Sequence, residues 1–158
     1  MKNQLTRREM IRISTLLTGS VCLCKTVLGE DAKKSNCCST PELGKESYFI
    51  NKDSIVIDLA KAEPLNEPGF ASVIVNPEKN IQMIIVRIGE TEYAALHRLC
   101  THGGQAISYN SKRNILQCNN YNHSIFDLDG QVIKGPAIEP LKKYETKLDC
   151  NKLIVILN

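Results

Sequence analysis

From Ser47 onward the chain breaks into short runs rich in Val, Ile and Tyr, and this patterning most constrains what it can fold into. The runs cover residues Ile55 to Leu59, Phe70 to Val75, Ile81 to Ile88, Glu92 to His97, Asn114 to Cys118, Tyr144 to Asp149 and Lys152 to Leu157. Each is of strand length and is bounded by Gly, Pro, Asn or Asp, the residues that punctuate sheets. Asn76 to Asn80, Gly89-Glu90 and Asp129-Gly130 read as hairpin turns between them. No segment after Ser47 sustains a helical period, so an all-β sandwich or small barrel is expected.

The 158 residues suffice for one compact domain plus a tail, and the formal charge of +3 is confined to that tail. Residues 1–29 carry Lys2, Arg7, Arg8, Arg12 and Lys25 against Glu9 alone, while the remainder is close to neutral with a slight acidic excess. A basic surface for nucleic acid is therefore not expected in the folded part. Thr6-Arg7-Arg8-Glu9-Met10-Ile11-Arg12 precedes a weakly apolar stretch from Ile13 to Cys24 that is too short to span a bilayer. Paired arginines before such a core resemble the twin-arginine export signal, and Val27-Leu28-Gly29 has the spacing of a cleavage site. Residues 1–29 are thus expected to be a signal peptide that sends the protein to the periplasm or the outer face of the cytoplasmic membrane. Cys22 and Cys24 lack the small preceding residue of a lipidation site. Residues 30–47, rich in Asp, Lys, Ser, Asn and Pro, are expected to be a disordered linker, with Cys37 and Cys38 as unpaired or intermolecular thiols inside it.

The chemistry is expected in two Cys/His pairs. Cys100-Thr101-His102-Gly103-Gly104 follows the run ending at His97, and Cys118 with His123 follows the run beginning at Asn114; fifteen residues separate His102 from Cys118. Each pair falls on a loop at the end of a strand, and two such loops facing each other supply two thiolates and two imidazoles. A structural zinc site uses the same ligand types but pairs like with like, as C-x(2–4)-C and H-x(3–5)-H. Here each pair is mixed. A hydrolase using Cys100 or Cys118 as nucleophile would leave the second pair idle, and an oxygenase's mononuclear iron would need two further His, whereas only His97 remains. His97 and Cys150 read as a strand histidine and a free thiol.

Mixed C-x-H and C-x(n)-H pairs at this separation resemble the Rieske family, in which two Cys hold one iron and two His the other iron of a [2Fe–2S] cluster. The resemblance runs from about Leu96 to the C-terminus. Ser124-Ile125-Phe126-Asp127 is similar to the family's S-x-F/Y-D, and Gly130 to Ala137, with Pro140-Leu141, to the proline loop that covers the cluster. The resemblance implies an antiparallel β-sandwich over residues 48–158 with a small cluster-binding subdomain of two hairpin loops and a proline loop. It implies one [2Fe–2S] cluster on Cys100, His102, Cys118 and His123, surrounded by Gly104, Ser124, Gly135 and Pro136. Two neutral imidazoles in place of two thiolates ease electron uptake, so the implied function is one-electron transfer between redox protein partners. The protein would act as a ferredoxin-like carrier or as the iron–sulfur subunit of an exported oxidoreductase complex, peripheral to a membrane. A structural zinc-binding β-domain is the alternative.

Three departures from the family pattern stand out. The second pair is C-x(4)-H rather than C-x(2)-H, and the Gly usual after the His is absent; anchoring on Ser124 to Asp127 instead puts Asn122 at the ligand position. Gln105 and Asn120 occupy the places of the disulfide cysteines of respiratory members, leaving packing and hydrogen bonds to hold the loops. Phe126 replaces the Tyr whose hydroxyl bonds a cluster thiolate in high-potential members, which implies a lower potential.

Overall fold

A computed structural model describes residues 39–157. The segment expected to be an export leader, and Cys22, Cys24, Cys37 and Cys38, lie outside the described residues. No helix among the described residues is long and apolar enough to cross a membrane.

Among the described residues, twelve strands form three antiparallel four-stranded sheets. The first has the order β1 (Tyr48–Ile50), β2 (Ser54–Asp58), β12 (Lys152–Ile156), β11 (Thr146–Asp149). The second has the order β10 (Lys143–Tyr144), β5 (Tyr93–His97), β4 (Ile81–Arg87), β3 (Ala71–Asn76), and the third runs β6 (Ile107–Asn110), β7 (Ile115–Cys118), β8 (Ile125–Phe126), β9 (Val132–Lys134).

The apolar runs are long where a strand is covered on both faces. Along β4, Met83 and Ile85 enter one core while Ile84 and Val86 enter another, because successive side chains point to opposite faces. The first core joins the first two sheets through Ile55, Ile57, Leu153 and Val155 against Ile74, Met83, Ile85 and Ala95. The second core joins the far face of the middle sheet to the third sheet, through Val73, Ile84 and Leu96 against Ile107, Leu116 and Phe126. An all-β sandwich therefore carries the third sheet as a separate layer. A slip of one residue in β4 would exchange its two buried faces, so the register Ile84↔Leu96 and Ile85↔Ala95 is tightly specified.

The hairpin turns expected at Asn76 to Asn80, Gly89-Glu90 and Asp129-Gly130 join β3 to β4, β4 to β5 and β8 to β9. The expected linker differs from the structure over its described part, residues 39–47. Leu43 is 2% exposed in the first core, its N–H reaches the Val73 carbonyl at 2.8 Å, and the Pro41 carbonyl accepts from the Val73 N–H at 2.8 Å. One large apolar side chain and a short parallel bridge, Glu42↔Val73, suffice to seat a segment whose composition is polar.

The third sheet is an excursion from the second. Residues 98–142 leave at the end of β5 and return to β10, which pairs with β5 through Lys143↔Leu96, and the His97 N–H bonds the Lys142 carbonyl at 2.8 Å. Both ends of the excursion are thereby pinned to one strand, and everything needed for the site lies within it.

Candidate metal centre

The first loop leaves β5 through the bridge Leu99↔Ala106 and is closed twice, by the Cys100 N–H to the Gln105 carbonyl and the Gly104 N–H to the Cys100 carbonyl, both 2.8 Å. Gly104 has φ +65°, a left-handed conformation that glycine adopts without steric cost. This curl turns the N–H groups of His102 and Gly103 onto the Cys100 sulfur. The second loop opens at Cys118, the last residue of β7, whose N–H bonds the Ser124 carbonyl at 2.9 Å. The Asn119 N–H bonds the Ala106 carbonyl at 3.0 Å, which lays the second loop beside the first.

Cys100 and Cys118 are each 3% exposed and their sulfurs are hydrogen-bonded to one another. Burial pushes the Cys100 thiol up, but the His102 N–H, the Ser124 hydroxyl, the Cys118 thiol and the Gly103 N–H together pull it below its ordinary value. Cys118 is pushed up, first by burial and then by the neighbouring sulfur, against the opposing N–H of Asn120. One sulfur is thus prepared to carry negative charge, and the second follows when a cation supplies the compensation that water cannot.

Ser124, 2% exposed, stands between three parts of the site. Its hydroxyl donates to the Cys100 sulfur and accepts the Ala137 N–H at 3.0 Å, which ties the proline loop to both cysteine loops. Gly135 and Pro136 lie exposed just before that tie. Thr101 adds a second tie, donating to the Glu139 carbonyl at 2.8 Å. Sequence reasoning passed over Thr101 as the variable residue of C-x-H, and it passed over the N–H of Gly103, Asn120 and Ala137 because backbone donors have no residue signature. Phe126 is wholly buried in the second core and contributes packing.

The two histidines are placed differently. His102 is exposed at the tip of the first loop. His123, also exposed, adopts φ +37°, and its Nδ1 lies 2.9 Å from the Cys118 carbonyl oxygen. Its ring lines a cleft of about 660 Å³ together with Ser108, Lys112, Gln117 and Asn119. The structure brings together Cys100, Cys118 and Ser124, keeps His102 beside them through its backbone, and sets His123 on the cleft side of Cys118. Among the described residues no three His, Cys, Asp or Glu side chains converge as a single metal ion requires. A two-iron cluster does not need such convergence, since its protein ligands are divided two and two between the irons. The buried sulfur pair fits the thiolate iron, and His102 stands exposed on the loop whose N–H groups reach Cys100.

The Rieske [2Fe-2S] domain profile matches residues 57–145, more than half of the chain. The iron–sulfur subunit of the cytochrome b6-f complex of Chlorobaculum tepidum is 28% identical over 106 residues, which are 66% of this chain and 56% of that subunit. The chain therefore spans little more than half the length of this curated relative. The ferredoxin of carbazole 1,9a-dioxygenase from Nocardioides aromaticivorans IC177 superposes with a TM-score of 0.50 at 19% identity, covering 60% of this chain and 93% of the ferredoxin. The plasma membrane Rieske protein of the cyanobacterium Synechocystis PCC 6803 gives a TM-score of 0.48 at 26% identity, over 54% of this chain and 84% of that one. With its paired loops, proline loop and buried cysteine sulfurs, the chain belongs to the Rieske [2Fe–2S] family and carries a single [2Fe–2S] cluster.

Proposed function

We propose that this protein passes single electrons between redox partners as the iron–sulfur component of an exported, membrane-associated oxidoreductase complex, with Cys100 and Cys118 on one iron and His102 and His123 on the other. The observation that carries this reading is the hydrogen-bonded sulfur pair of Cys100 and Cys118, both buried and supplied with three backbone N–H donors and the Ser124 hydroxyl. Donors aimed at sulfur stabilise the charge that a reduced cluster spreads onto its thiolates, which is how a protein sets a cluster's potential. The cluster supplies the one-electron chemistry. The chain holds the thiolates, keeps water from them with Leu141 and Ala137, and leaves His102 at the exposed tip where a partner can approach.

A zinc module is less well supported, because four donors must surround one ion and the described side chains do not gather in that way. The cytochrome b6-f subunit relationship favours a complex over a free carrier, and the paired arginines Arg7-Arg8 favour export after the cluster is loaded. EPR of the dithionite-reduced, anaerobically purified protein, with iron and sulfide analysis, tests the reading. A rhombic mixed-valence signal with two iron and two sulfide per chain is expected; a silent sample holding zinc would overturn it.

A further inference from the structure

Beside β6 and β7 of the third sheet lies a cleft of about 660 Å³ with chemistry of its own. Ile107 and Leu116 enter the second core, so Ser108 and Gln117, next to them in sequence, point the other way. These two stand directly opposite each other across the ladder, and both line the cleft. Ser108 is 8% exposed, yet its hydroxyl has no hydrogen-bond partner among the described residues, and neither has the Gln117 carboxamide. Buried polar groups ordinarily find partners, so an unmatched pair on the floor of an open cleft is set to receive one.

The frame around this floor is fixed. The Tyr109 N–H donates to Thr40 Oγ1 at 2.9 Å, and the Tyr109 hydroxyl donates to Asn114 Oδ1 at 2.8 Å. In the turn between β6 and β7, the Arg113 N–H reaches the Asn110 carbonyl and Asn110 Oδ1, both at 3.3 Å, which leaves the amide nitrogen of Asn110 to donate elsewhere. Lys112 stands on the same turn and lines the cleft, exposed and without an ion-pair or hydrogen-bond partner among the described residues. No Asp or Glu is among the described residues that line the cleft, so the Lys112 charge is uncompensated there.

These groups select a class of ligand. A cation would meet the Lys112 ammonium with no carboxylate to hold it. An apolar molecule would strand the Ser108 and Gln117 side chains without partners. A molecule with one carboxylate and several hydroxyls matches both: its charge faces Lys112, and its hydroxyls donate to and accept from Ser108, Gln117 and Asn119. The cleft volume falls within the range of small-molecule sites, roughly 300–1,000 Å³.

We propose that this cleft binds a small hydroxylated carboxylate of the sugar-acid class, with Lys112 holding the carboxylate and Ser108 and Gln117 the hydroxyls. The site is separate from the proposed cluster ligands and adds a binding function to electron transfer.

Saturation-transfer NMR on the full-length oxidised holoprotein tests this, with glucuronate as the probe and glucose as its uncharged counterpart. Glucuronate should bind, and glucose should bind about fivefold more weakly, since it lacks the group that faces Lys112. Lys112→Ala should remove that preference and leave the two sugars equal, while Lys112→Arg should keep it. Ser108→Ala should weaken both sugars by about fivefold, the ordinary share of one hydrogen bond. Lys147 is exposed on β11 and does not line the cleft, so Lys147→Ala should leave both affinities unchanged. Lys112 lies exposed on a turn, and its variants decide the matter even if Ser108→Ala destabilises the fold. No transfer to glucuronate would overturn the proposal, as would a preference for glucuronate that survives Lys112→Ala. Displacement of glucuronate by an equal concentration of inorganic phosphate would make the cleft a general anion site and overturn the sugar-acid assignment. None of these readings depends on the EPR signal, so their failure would leave the electron-transfer reading standing.

Discussion

Ser124→Ala separates the electronic from the mechanical role of the residue at the centre of the site. The wild-type hydroxyl donates to the Cys100 sulfur and accepts the Ala137 N–H at 3.0 Å, with Ser124 and Ala137 each 2% exposed. Its removal leaves a buried N–H without a partner, a cost of about 1–3 kcal/mol. The electronic effect follows from the other bond. Hydrogen bonds to charged groups contribute roughly 1.5–3 kcal/mol, and only the part that grows on reduction alters the potential. If about half grows, the reduced state loses roughly 0.8–1.5 kcal/mol. With tenfold, or about 1.4 kcal/mol, equal to 59 mV for one electron, the potential should fall by roughly 30–60 mV. EPR-monitored redox titration reads the second effect and urea denaturation of the holoprotein the first. An unchanged or raised potential would refute the claim that this hydroxyl serves the Cys100 thiolate. A lowered potential with undiminished stability would refute the tie to the proline loop alone.

Gly130 has φ +84°, and a Cβ there would lie 2.7 Å from the Leu141 carbonyl oxygen and 3.0 Å from Leu96, so Gly130→Ala combines left-handed strain with a backbone clash. A loss of about 2–5 kcal/mol in urea unfolding is expected, and a loss below about 1 kcal/mol would contradict the close approach of β8–β9 hairpin and proline loop. Leu43→Ala should cost about 2–5 kcal/mol by the same assay if residues 39–47 are seated in the first core; a near-neutral result would return them to linker status. Burial, assisted by Lys142, holds the His97 pKa below its ordinary value. As pH falls, the unfolded chain takes up this proton first, so the stability that neutral His97 contributes is complete above about pH 6.5 and is lost as pH falls toward the folded pKa. His97→Gln should therefore flatten the decline of the urea midpoint between about pH 7 and pH 5, and an unchanged decline would assign it to other groups.

The strands were legible where burial imposed a period. Ile81 to Ile88 and Glu92 to His97 announced the middle sheet because both of its faces are covered, so nearly every residue had to be apolar. The short strands of the third sheet were less visible: Ile125–Phe126 and Val132–Lys134 carry too few residues for alternation to register, and they pair across an irregularity at Ile125/Phe126. The seating of Leu43 escaped for a related reason. One buried side chain in a polar stretch has no period at all, and composition averages it away.

The site divides along the same line between side chain and backbone. Residue identities revealed which atoms can hold iron, because sulfur and imidazole have few other reasons to recur in matched pairs. The direction in which a loop presents them is a backbone property, and sequence marks it only where a residue type is needed to achieve it. Gly104 and Gly130 carry such marks at left-handed positions, and Asn80 and Asn114 carry weaker ones, since Asn tolerates that region. His123 carries none: a histidine at φ +37° looks in sequence like any other histidine. The C-x(4)-H spacing showed that the second loop was longer, but chain length fixes only the reach of a loop. Which way it turns depends on the bonds at its neck, and those are made by the N–H and carbonyl groups of Cys118, Asn119 and Ser124. The residue whose role the sequence left most open is therefore the one whose placement depends least on its own side chain and most on backbone hydrogen bonds one, four and five positions away.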